Sequence, residues 1–150
     1  MAKAAPKVPF KNLPLLSREE LPGRLGEFYD ALDQFNDGYW FESHETLEDL
    51  WHVTPLPERT LFQGVIQAAA ALVHFARGEY PGIFKLFDAS LDKLRAFAPD
   101  ALGVDVAALV KDIERARAEL VALGPEGFLE WDEARAPKAL FRRSVERVNR

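Results

Sequence analysis

No cysteine occurs in the 150-residue chain, so neither a disulfide framework nor a thiolate-ligated metal site is available, and the composition suits a reducing cytosol. Long apolar runs are missing too. No segment approaches the roughly 20 uninterrupted apolar residues of a membrane span. The first residues, MAKAAPKVPFKNLPLL, spread lysines and prolines where a secretory signal would carry an apolar run. Alternation of apolar and polar residues is found nowhere, which argues against β-sheet. These absences predict a soluble, cytoplasmic, all-α protein with no membrane partner.

Positive charge is scarce in the body of the chain. Residues 19–133 hold nine basic and 23 acidic side chains, whereas residues 1–18 hold four basic and none acidic, and residues 134–150 six basic and one acidic. An acidic body with basic ends is not a usual nucleic-acid surface, and tails that fold back on the body are the simpler reading. Any other partner, self-association included, stays open. With 48% apolar residues the chain can bury one core of ordinary size. The organisation expected is a basic, proline-containing extension over 1–18, a helical domain over 19–133 and a basic tail over 134–150. In that tail Leu140, Phe141, Val145 and Val148 suggest a short docked helix.

Five helices follow from periodicity and punctuation. Ser17 and Glu20 have capping-box spacing ahead of Pro22-Gly23, and Leu25, Phe28, Tyr29, Leu32 and Phe35 form the stripe of a helix over 24–36 that stops at Asp37-Gly38. A second helix spans about 39–53 and ends at Thr54-Pro55-Leu56-Pro57; a third reaches Arg77-Gly78; Pro81 opens a fourth that Pro99 closes. Asp105 is the expected N-cap of a fifth, running to Leu123 before Gly124-Pro125. Short loops between them predict a compact antiparallel bundle.

The second helix carries the polar residues of interest. With His44 at zero on a helical wheel, Glu48 falls at about 40°, Trp51 at about 340°, Trp40 at about 320° and Leu47 at about 300°. Imidazole and carboxylate thus lie in the apolar stripe and are expected to be buried together, with Glu45 at its edge and His52 exposed. Phe41 joins Trp40 and Trp51 as expected core. The third helix has no lysine, arginine or acid between Leu61 and Ala76, the mark of a central helix. Its Gln63, Gln67 and His74 form one narrow polar line, bracketed by Arg59 and Arg77. That line is expected to face His44 and Glu48 and to answer the buried charge.

His44-Glu45-Thr46-Leu47-Glu48-Asp49-Leu50-Trp51, followed by Arg59, Gln63-Gly64-Val65-Ile66-Gln67, His74 and Arg77-Gly78, resembles domain of unknown function family 309, a family of small bacterial and archaeal proteins. The likeness covers Asn36 to about Gly82, more loosely to Phe97. Its mark is a histidine, three residues, a glutamate, two residues and an aromatic, here His44, Glu48 and Trp51. In that family the motif has been suggested to bind metal; the resemblance implies an all-helical fold, poses the question of a divalent metal ion and implies no particular activity. Read as chemistry, His44 and Glu48 could ligate zinc, iron, manganese or nickel if His74 joined them and Glu45, Gln63 or Gln67 completed the shell. A second reading is a hydrogen-bonded network that fixes helix register and leaves the chain a non-catalytic interaction module. A third takes His44-Glu45-x-x-Glu48 as similar to the zinc-protease helix motif, with Glu45 the general base of a metal-dependent hydrolase.

Overall fold

The computed structural model describes residues 14–143. Five helices make up the domain: α1 Leu21–Asn36, α2 Trp40–Trp51, α3 Glu58–Ala76, α4 Tyr80–Leu94 and α5 Val106–Gly127. Consecutive helices pack on one another through short turns, giving the all-α bundle. The expected capping box is formed, with Ser17 N donating to Glu20 Oε1 (2.8 Å) and Glu20 N donating to Ser17 Oγ (3.1 Å). Helix α1 starts earlier than Arg24, because Pro22 sits in its first turn, where its missing N–H is not needed. Asp105 caps α5 by accepting from Ala108 N (2.9 Å), and at Gly124 a φ of 75° breaks that helix where the Gly-Pro pair predicts its end.

Helix α3 is the centre, with ten of its 19 residues buried, more than any other helix. Glycine brings α4 close to it at two points. A Cβ on Gly64 would stand 2.8 Å from Leu94 Cδ2, and the Gly64 carbonyl accepts from buried Ser90 Oγ (2.6 Å). A Cβ on Gly82 would stand 2.6 Å from Nδ1 of His74. The start of α4 therefore lies against the His74 ring, and the end of α4 lies beside Gln63 and Gly64.

Two expectations are corrected. A two-stranded hairpin, β1 Asp100–Ala101 with β2 Val104–Asp105, interrupts the helical chain; strands of two residues are too short to show alternation. After a 3-10 turn at Glu133–Arg135 the tail is extended over the rest of its described residues, and Leu140 and Phe141 are not in a helix. It docks through backbone bonds, Asp105 N to Leu140 O (2.9 Å) and Arg142 N to Gly103 O (3.0 Å), and through both amide atoms of Asn36 on the backbone of Ala139. Its buried alanines, Ala136 and Ala139, offer little apolar periodicity, and the paired backbone groups favour the extended form. Arg143 reaches Asp30 (3.0 Å) and Asp33 (2.8 Å), so basic tail does meet acidic body. Residues 1–13 of the amino-terminal extension, and Val145 and Val148, lie outside the described residues. Among the described residues no helix is long and apolar enough to cross a membrane.

Candidate functional site

The buried face of α2 is Trp40, Ser43, Leu47 and Leu50. On the wheel this face is centred about 80° from His44, because Ser43, a polar residue by composition, is fully buried and donates to Ala31 O (2.8 Å). His44, Glu48 and Trp51 consequently line the edge of the helix. Their expected burial is corrected: the side chain of His44 is 26% exposed and that of Glu48 44%. Phe41, expected in the core, is 46% exposed and lies nearly parallel to the His44 ring at 6.2 Å. His52 is half-buried rather than exposed and meets Trp51 edge-on at 4.8 Å.

Along α3 the companion residues Arg59, Gln63, Gln67, Ala70 and His74 are likewise half-buried. Helices α2 and α3 thus present a stripe of polar and aromatic side chains at their shared edge, with a cavity at each end. One, of about 150 Å³, is lined by Phe41 and His44 from α2 and by Ala70, Val73, His74 and Arg77 around the end of α3. The other, of about 490 Å³, is lined by Trp51 from the end of α2, Arg59, Thr60 and Gln63 from the start of α3, the turn Thr54-Pro55-Leu56, Leu15, and Lys93 of α4. His44 and His74 line the same smaller cavity, but among the described residues no hydrogen bond or ion pair joins His44 or Glu48 to Gln63, Gln67 or His74. Gln63 goes to the larger cavity, Gln67 lines neither, and Glu45 is exposed.

These positions do not suit a metal. His44 Nε2 and Glu48 Oε2 are 3.8 Å apart, close enough for weak attraction, but a structural zinc site needs four donors and a catalytic one three. His74 Nδ1 lies 2.7 Å from Glu79 Oε1, oblique to a good hydrogen bond, and is covered by Gly82. Arg77 brings a fixed positive charge to the cavity His74 shares with His44. Among the described residues no three histidine, aspartate or glutamate side chains gather as a metal would require. Nor is the stripe a closed hydrogen-bonded network. His44 Nδ1, Gln67 Oε1 and His74 Nδ1 are shielded from solvent without a hydrogen-bond partner among the described residues.

A second polar cluster, on α5, escaped the sequence. Glu119 accepts from Arg135 Nε (2.8 Å) and Trp131 Nε1 (2.9 Å) and stands 3.1 Å from Arg115, which also pairs with Asp112 (2.6 Å). Hydrogen bonding from Arg135, reinforced by Trp131 and Arg115 against the opposing effect of burial, lowers the Glu119 carboxyl from 4.5 to about 2. Asp112 also accepts from Lys138 N (2.9 Å). This cluster fastens the chain after α5 back onto it. The only sequence signal was spacing, since Asp112, Arg115 and Glu119 share one helix face.

No curated protein and no solved structure matches the chain significantly. Residues 28–86, from the middle of α1 into α4, match the family described as Domain of unknown function (DUF309), and the matched part carries the stripe.

Proposed function

We propose that the chain is a non-catalytic binding module whose working surface is the α2–α3 edge, with His44, Glu48, His74, Trp51, Arg59, Gln63 and Gln67 as recognition groups rather than metal ligands. The observation behind this is the combination of half-exposure and uncommitted hydrogen-bonding atoms along the edge. Buried polar groups that serve only the fold are normally satisfied within it. Groups shielded from bulk water yet left without a partner suit a ligand that supplies one. The metal-dependent hydrolase reading would need Glu45 beside a metal and a substrate, and Glu45 is exposed on α2 away from both cavities.

Thermal melting of the wild type and of Glu48→Gln, with excess chelator and with added zinc, manganese or iron, tests this reading. A melting temperature indifferent to metal, and near-neutrality of Glu48→Gln, are the expected results. A metal-dependent rise in the wild type that Glu48→Gln abolishes would replace the binding face with a metal centre.

A further inference from the structure

The larger cavity has a chemistry of its own. Among the described residues its lining includes two cations, Arg59 and Lys93, and no acid, within a segment, residues 19–133, where acids outnumber bases 23 to nine. The Arg59 guanidinium lies over the Trp51 ring at 4.3 Å, and neither it nor Lys93 has a carboxylate partner among the described residues. Glu58, the acid nearest in sequence, is held outside the cavity by Arg18 (2.7 Å), which also donates to Leu56 O (2.9 Å). The neighbouring charge that could have neutralised Arg59 is therefore engaged elsewhere.

Stacking on an indole fixes the guanidinium plane and leaves its N–H edge free for a planar or tetrahedral oxyanion, while lysine contributes a point charge. Thr60 and Gln63 add neutral hydrogen-bonding groups on the same wall, and Leu15, Pro55 and Leu56 supply an apolar one. The volume, about 490 Å³, is within the roughly 300–1,000 Å³ of small-molecule sites. Gly64 allows the approach that puts Lys93 here, since its missing side chain would meet Lys93 Cβ at 3.3 Å.

Resting on the binding-face reading above, we propose that the Trp51, Arg59, Gln63 and Lys93 cavity binds a small organic oxyanion, a carboxylate or phosphate carried on a flat apolar body. The oxyanion sits between Arg59 and Lys93, and the apolar body lies against Leu15, Pro55 and Leu56. On the same body Arg95 and Arg117, by contrast, are paired with acids.

The test is a titration of the full-length, nitrogen-15-labelled chain with phenyl phosphate, benzoate, neutral benzamide and inorganic phosphate, watching the indole N–H signal of Trp51, identified with Trp51→Phe. At least one of phenyl phosphate and benzoate should move that signal while those of Trp40 and Trp131 stay in place, and the stronger of the two names the preferred oxyanion. Benzamide should bind at least about tenfold more weakly than benzoate, and inorganic phosphate more weakly than phenyl phosphate. Arg59→Gln and Lys93→Gln, each with an unchanged folded amide spectrum, should weaken binding by about tenfold, as expected for the loss of one charge-assisted contact. No movement with either organic anion, benzamide as good as benzoate, inorganic phosphate as good as phenyl phosphate, or full affinity in both variants would overturn the proposal. Such a failure leaves the binding-face reading standing, because that reading is tested separately by melting against metals.

Discussion

The two polar regions of this molecule use similar side chains in opposite ways. Around Glu119, three nitrogen-bearing side chains converge on one carboxylate, and the cluster joins α5 to the chain that follows it. Along the α2–α3 edge, His44 and Glu48 stand 3.8 Å apart, Arg59 rests on an indole, and several shielded polar atoms lack hydrogen-bond partners among the described residues. The first arrangement lets each charge stabilise the fold. On the reading proposed above, the second leaves the charges available to something outside it. Polar residues within a helical pattern thus say where chemistry is possible, and their degree of satisfaction separates a fastening from a recognition surface.

The largest effect should come from breaking the fastening. Glu119→Gln removes the charge that Arg135 and Arg115 share while keeping an acceptor for Trp131, and it should cost on the order of 2 kcal/mol in urea unfolding at neutral pH. The same residue predicts a pH dependence. Because its folded pKa, about 2, lies below the ordinary 4.5, its contribution is fully present above pH 4.5 and is lost as pH falls through 2. Wild-type stability should therefore fall more steeply than that of Glu119→Gln across this window. Parallel acid limbs would show that the cluster does not hold the tail.

Next in size is Asn36→Ala, which takes away both side-chain bonds to Ala139. About 1–2 kcal/mol should be lost, with faster amide exchange at Ala139. Gly64→Ala tests the α3–α4 approach that shapes the larger cavity. The clash with Leu94 and Lys93 should outweigh the gain in helix propensity, for a net cost of roughly 1 kcal/mol. Glu48→Gln is the smallest, within about 0.5 kcal/mol of wild type.

Much of this fold was legible in the sequence. The charge-free span Leu61–Ala76 marked the central helix, Asp105 marked a cap, and Gly124-Pro125 marked an end, because each is a local property of the chain. The residues of the stripe were legible as well, but their burial was not. Ser43 took the core position by bonding to Ala31 O, and the buried face of α2 turned away from His44. Lys93 could not have been assigned to the larger cavity, since it arrives on α4 through the glycine-mediated approach at Gly64. The role of Glu119 depends on where the chain goes after α5, which helical periodicity does not encode.

A double-mutant cycle of His44→Gln and Glu48→Gln, measured by urea unfolding with chelator and again with zinc, addresses the central claim most directly. If the edge is a recognition surface, the coupling between the two residues should stay below about 0.5 kcal/mol in both conditions, as befits a half-exposed pair. A coupling above about 1 kcal/mol in chelator would make the pair part of the fold's own network, and one that emerges only with zinc would make it a metal site; either would contradict the account.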